Sequence, residues 1–130
     1  GVASVEEIDA LNILRASHLA MQRAFAALPT PPVAAIVDGN MAPDLPCPVE
    51  CVVDGDVIVP IVSAASIIAK VERDRMMSEL CALYPGYAFS RHKGYATPEH
   101  QEALKRLGPC AIHRRSFKTV QLALGLPLAG

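Results

Sequence analysis

The sequence predicts an α/β domain that runs helix, strand, strand, helix, and then two short helices. Two observations carry this. Val33-Ala34-Ala35-Ile36-Val37 is a continuous apolar run between a proline-rich stretch and an Asp-Gly, which fits a strand buried on both faces of a parallel sheet. On either side of it, apolar residues recur at helical spacing over longer stretches,.

Ser4-Val5-Glu6-Glu7 reads as a capping box, with Ser4 as N-cap and Glu7 reaching back to it,. Leu11, Leu14, Met21, Phe25 and Leu28 follow at steps of three, four or seven. One amphipathic helix is therefore expected from about Val5 to Leu28. His18 falls on its apolar face and reads as a core-edge histidine, and Asn12 lies near that face. Pro29-Thr30-Pro31-Pro32 ends the helix,. The Val33–Val37 strand closes at Asp38-Gly39-Asn40, and Met41 to Pro48 is a proline-rich loop. Val49 to Val53 is a second strand, and Asp54-Gly55-Asp56 a turn,. Pro60 opens a long helix to about Tyr84, with Ala64, Ile67, Ile68 and Val71 on one face,. Asp74 shares that face by spacing, so it points inward toward the sheet. Lys70, Glu72, Arg73 and Arg75 read as solvent-side charges around it. Pro85-Gly86-Tyr87 breaks the helix, and Ser90 to Ala96 is a polar loop,. Thr97-Pro98-Glu99 starts a helix that stops at Gly108-Pro109,. A last helix runs from about Ser116 to Leu124.

A chain of 130 residues, 52% hydrophobic, suits a single domain over 1–130,. No uncharged apolar stretch reaches 18 residues and no basic leader opens the chain, so neither membrane span nor signal peptide is expected,. Cys47 and Cys51 have no second ligand pair at similar spacing. Reduced thiols of a cytoplasmic protein are the better reading. The net charge of −1 hides an asymmetry. Residues 1–90 hold five lysines and arginines against eleven acids, and residues 91–130 hold seven against two. The basic helical segment over 97–125 and the loop before it form a candidate phosphate-binding surface. On charge alone, a solvated helical face reads equally well.

Two carboxylates stand out. Asp38 directly follows the apolar strand, and ligands of open α/β sheets bind beyond such strand ends; an Asp-Gly turn is the alternative. Asp74 faces inward on the long helix, where burial demands a cationic partner; an arginine is the alternative. If both point to one sheet end, their hard oxygens suit Mg²⁺ or Mn²⁺.

Val37-Asp38-Gly39-Asn40, Ala64-Ala65-Ser66-Ile67-Ile68-Ala69-Lys70-Val71-Glu72-Arg73-Asp74, His92-Lys93-Gly94-Tyr95 and His113-Arg114-Arg115-Ser116-Phe117 occur in that order. Together they resemble the type 2 ribonucleases H, the ribonuclease HII family, from about Glu7 to about Gly125. The resemblance implies the C-terminal portion of a ribonuclease H-like α/β fold: a partial sheet with flanking helices and a C-terminal helical segment. It implies an endonuclease that hydrolyses the RNA strand of RNA–DNA hybrids and cuts at ribonucleotides embedded in DNA, with Mn²⁺ or Mg²⁺ as cofactor. The products would carry 5′-phosphate and 3′-hydroxyl ends, and the complete enzyme would be monomeric. Four family carboxylates hold two metal ions, and Asp38 and Asp74 match the third and fourth. Tyr95 matches the tyrosine that reads the 2′-hydroxyl at an RNA–DNA junction. Lys93, Arg114 and Arg115 are candidate phosphate contacts.

The chain departs from the family pattern in places. Tyr87-Ala88-Phe89 replaces Tyr-Gly-Phe, and Ala96 stands where a glycine often follows the junction tyrosine. The family's Asp-Glu-x-Gly-Arg-Gly segment, with the other two carboxylates, does not occur in these 130 residues. The first half of the sheet is expected to be absent with it, and the fragment alone to be inactive or nearly so. A non-catalytic nucleic-acid-binding fragment and a two-carboxylate hydrolase of small phosphoesters are the other readings.

Overall fold

The computed structural model describes residues 1–126 and divides into two compact units, Gly1–Ile68 and Ala69–Gly130. The first unit opens with α1 (Val5–Leu11), whose capping box forms as the sequence predicts: the Glu7 amide donates to Ser4 Oγ and the Ser4 amide to Glu7 Oε2. The expected single helix to Leu28 is instead two. Asn12 takes φ 76°, ends α1, and accepts the Arg15 amide through Oδ1, so that α2 (Ile13–Ala26) starts afresh. An asparagine side chain that competes for backbone donors turns a helical position into a cap. Arg23 of α2 ties the two helices together through Glu7 and the Val2 carbonyl.

β1 (Ala35–Asp38) and β2 (Val49–Val52) pair in parallel, Ala35 opposite Val49 and Asp38 opposite Val52. The strand begins two residues later than the apolar run, where the Ala35 amide finds the Pro48 carbonyl. The run is not buried on both faces: Val37 is buried, but Ile36 and Val33 are exposed. β2 is the one strand that pairs with β1 among the described residues. After β2, Asp54 enters the left-handed region at φ 56°. A short helix, α3 (Gly55–Ile58), then replaces the expected simple turn and packs on β1. Aspartate tolerates that conformation better than most side chains.

α4 (Pro60–Leu83) starts and ends where the sequence places it. Its apolar face does not behave as expected. Ile67, Ile68 and Val71 are 60, 70 and 62% exposed, since no described residue covers them.

The second unit has its own core of Tyr87, Phe89, Ala103, Leu104 and Val120. Phe89 and Leu104 are buried almost completely, each contributing roughly 1.5–3 kcal/mol by leaving water,. Tyr87 stacks on Phe89, and its hydroxyl donates to the Gly108 carbonyl. The segment expected to be a loop after Ser90 contains a helical turn, α5 (Phe89–His92), between two left-handed residues, Ala88 at φ 59° and Lys93 at φ 51°. α6 (Pro98–Leu107) has its Thr97 cap and Pro98 first turn, and ends at Gly108 with φ 71°. α7 (Lys118–Ala123) lies within the expected last helix and packs on α6. Among the described residues, no helix is long and apolar enough to cross a membrane.

Candidate active site

In the first unit, Asp38 stands exposed at the carboxyl end of β1. Its Oδ1 accepts the Gly55 amide at 2.8 Å, which holds the side chain against the start of α3. Gly55 is buried, and a Cβ there would lie 3.4 Å from both Asp38 Cα and Val52 Cβ. The small residue thus lets the strand end and the helix start meet closely. Asp38 and Asn40 line one side of a cleft of about 250 Å³, and Leu14, Ser17, His18 and Met21 of α2 line the other. His18, expected as a core-edge residue, is half-buried in that cleft wall.

In the second unit, Asp74 gathers several of the motif residues. Its side chain is 28% exposed, and Lys70 donates to Oδ2 at 2.9 Å. Asp74 Oδ1 is buried without a hydrogen-bond partner among the described residues. The Lys70 hydrogen bond holds the Asp74 carboxyl below the usual carboxylate range, with Lys93 and Arg73 adding positive charge nearby. In turn, Asp74 raises the Lys70 ammonium. Asp74 is therefore not a carboxylate sunk in an apolar face, as its spacing predicts. Its apolar companions Ile67 and Val71 are exposed, and its close neighbours include Lys70 and Arg73, expected as solvent-side charges, and Lys93, expected as a phosphate contact.

Arg73 lies over the exposed Tyr95 ring, 5.3 Å from its centroid. Arg73 Nη1 is buried and, like Asp74 Oδ1, without a partner among the described residues. Lys93 Nζ donates to Ser78 Oγ at 2.6 Å. Of the sequence-derived site residues, Asp74, Lys93 and Tyr95 thus share one neighbourhood. Sequence reasoning missed Lys70 and Arg73 as members of it. Their helical offsets of four and one from Asp74 were visible, but helix charges are usually solvated. Arg114 lies over the Phe117 ring, 4.9 Å from its centroid, and Arg115 is exposed.

A buried charged carboxylate oxygen without a donor can accept a cation, and hard oxygen suits Mg²⁺ or Mn²⁺. Asp74 Oδ1 meets that condition. Among the described residues, no three His, Cys, Asp or Glu side chains gather closely enough to hold a metal by themselves.

The family profile for ribonuclease HII matches residues 2–120. A ribonuclease HII of Parvibaculum lavamentivorans is 57% identical over 125 residues, covering 95% of this chain and 46% of its own length. That of Bordetella pertussis is 57% identical over 125 residues, covering 96% of this chain and 62% of its own. The crystal structure of the ribonuclease H2 from Pyrococcus horikoshii superposes with a TM-score of 0.71 at 26% identity, over 92% of this chain and 64% of that one. The chain thus spans about half to two thirds of the length of the relatives it matches. With the match covering nearly all of these 130 residues in sequence and in fold, the chain belongs to the ribonuclease HII family and has its ribonuclease H-like α/β fold.

Proposed function

We propose that this chain is part of a metal-dependent endonuclease that hydrolyses the RNA strand of RNA–DNA hybrids and cuts at ribonucleotides embedded in DNA. The observation that carries the reading is Asp74: a charged carboxylate with one oxygen buried and unpartnered, in the family's long helix motif. Asp38 and Asp74 are the proposed ligands of Mn²⁺ or Mg²⁺. The Gly55 amide fixes one oxygen of Asp38 and leaves the other for a cation.

Asp38 and Asp74 would hold divalent ions, whose chemistry there would be to activate a water and to stabilise a leaving 3′ oxygen, so that the ends would be 5′-phosphate and 3′-hydroxyl. The chain's own residues supply the rest. Lys70 holds Asp74 ionised and restrains its rotamer until a cation competes for it. Tyr95, with Arg73 on one face of its ring, offers an aromatic surface beside that carboxylate for the sugar carrying the 2′-hydroxyl,. Lys93, Arg114 and Arg115 supply positive charge for the phosphate backbone. The free thiols of Cys47, Cys51, Cys81 and Cys110 fit a reducing, cytoplasmic location,.

A second reading for the 130 residues by themselves is a non-catalytic nucleic-acid-binding unit. It is favoured by the missing third donor beside either aspartate among the described residues. One experiment separates the two. The chain is fused to the part of the Bordetella pertussis relative that lies outside the match, and both forms are incubated with end-labelled hybrid and Mn²⁺. Hybrid cleavage by the fusion, lost on Asp74→Asn, supports the nuclease reading. Binding without cleavage by both forms supports the second.

A further inference from the structure

Three of the four histidines, His92, His100 and His113, are buried together in the second unit, and every ring nitrogen has a partner. We propose that His100 and His113 are positioning residues for Tyr95, forming a relay of neutral imidazoles that ties the Tyr95 carbonyl to the Cys110 amide. The role rests on the reading of Tyr95 as the residue that meets the substrate sugar.

The direction of each hydrogen bond is forced from the two ends. A carbonyl only accepts, so His100 Nδ1, 2.9 Å from the Tyr95 carbonyl, carries a hydrogen,. A neutral His100 then has a bare Nε2. His113 Nε2, 3.0 Å away, must donate to it. That leaves His113 Nδ1 bare, where it accepts the Cys110 amide at 2.9 Å. Protonating His113 would set an N–H against the Cys110 amide. Protonating His100 would reverse the central bond and move the same conflict to Cys110. The chain therefore closes only when both rings are neutral.

The surroundings reinforce this. His92 stacks on His100 with centroids 4.4 Å apart, donates through Nε2 to the Tyr87 carbonyl, and accepts the Gly94 amide at Nδ1. Phe89 packs its ring on all three histidines, and Tyr87 on His113. Cys110 Sγ lies 3.1 Å from His113 Nδ1. The titratable groups facing the relay are thus His92, Tyr87 and Cys110. Burial lowers both relay histidines, His113 to about 4.

Tyr95 needs such a tie. It follows Lys93 and Gly94, both at positive φ, and its ring is exposed. Its carbonyl accepts from the Thr97 amide at 2.8 Å and from His100. His100 is the one of these donors that also reaches the neighbouring Cys110–His113 segment, which leads into Arg114 and Arg115.

Long-range ¹H–¹⁵N correlation spectra of the ¹⁵N-labelled 130-residue chain test the relay without any variant. At pH 7, His100 is expected as the Nδ1–H tautomer and His113 as the Nε2–H tautomer. On acidification, the Tyr95 and Thr97 amides should shift together with the His113 ring, below pH 5. The opposite tautomers, a cationic His100 at pH 7, or Tyr95 and Thr97 amides indifferent to the His113 titration would overturn the relay. His100→Phe should speed amide exchange at Thr97 roughly tenfold, as one lost hydrogen bond allows. His100→Asn, which keeps a donor near Nδ1, should restore most of the protection; no difference between the two variants would contradict the role. Affinity for duplex containing one ribonucleotide should fall with His100→Phe. A relay upheld by the spectra with unchanged affinity would overturn the reading of Tyr95 instead.

Discussion

The guanidinium of Arg73 covers one face of the Tyr95 ring at 5.3 Å from its centroid, one residue from the carboxylate of Asp74. The pair links two motifs far apart in sequence, the long helix and the His-Lys-Gly-Tyr turn. The Tyr95 ring is otherwise exposed. A cation–π contact at an exposed site contributes about 0.5–1 kcal/mol, and stacking on the substrate roughly 1–3 kcal/mol.

In the fusion with the longer relative, Tyr95→Ala should lower cleavage at a single ribonucleotide in duplex DNA more than cleavage of long hybrid. Arg73→Ala should act in the same direction with a smaller loss, about threefold, by freeing the ring. Equal losses on both substrates would make Tyr95 a structural residue only.

Binding of hybrid by the chain should weaken steeply with salt, because phosphate contacts release counterions. Charge reversal at both Arg114 and Arg115 should weaken hybrid and plain duplex alike and flatten the salt slope by about two. Affinity that is independent of salt, measured by fluorescence anisotropy, would argue against a nucleic-acid partner.

Ala88→Gly should stabilise the chain. Ala88 sits at φ 59°, ψ 37°, where the Tyr-Gly-Phe pattern of the family places glycine. A left-handed alanine costs roughly 1–2 kcal/mol, offset in part by the greater freedom of glycine when unfolded. A net gain of roughly 0.5–1 kcal/mol is expected, seen as a rise in Tm of a few degrees. Ala96, the other departure, is not among the positive-φ residues, and Ala96→Gly should bring no such gain.

Acid should destabilise the second unit well before its carboxylates titrate. His113 is held at about 4, below its ordinary value of 6.5. The unfolded chain therefore takes up that proton first as pH falls. The His113 contribution is full above about pH 6.5, declines toward pH 4, and levels off below it; the fall is roughly 3 kcal/mol for the full shift,. Glu7 in the first unit, pulled to about 2 by Arg23, works in the same direction but lower, its contribution lost as pH falls from 4.5 toward 2. Urea denaturation at several pH values checks this. A His113→Asn variant should show a flatter decline between pH 6.5 and 4.

The readable parts of the fold were those with local causes. Ser4 and Glu7, Pro60, and Thr97-Pro98 mark helix starts by chemistry confined to one turn, and each start lies where those residues stand. Asn12 was not readable as a break, because the apolar spacing runs unbroken through it and only its cap to Arg15 reveals the stop. The exposure of Ile36, Ile67, Ile68 and Val71 was not readable either. An apolar run looks the same whether or not a partner covers it. At the site, Asp38 and Asp74 stood out by position and motif. Lys70 and Arg73 did not, since a charge on a helix says nothing of what a distant loop brings beside it. His92, stacked on His100, and His113, bonded to it, come together through tertiary packing that no periodicity encodes.

The proposal that Asp38 and Asp74 are ligands of a divalent ion is tested most directly by titrating Mn²⁺ into the ¹⁵N-labelled chain and following paramagnetic broadening of backbone amides. The amides around Asp38 and those around Asp74 should each broaden and saturate with Mn²⁺, and Asp38→Asn and Asp74→Asn should each abolish the broadening around the residue replaced. No saturable broadening around either aspartate, or broadening unchanged by Asp38→Asn and Asp74→Asn, would contradict the account.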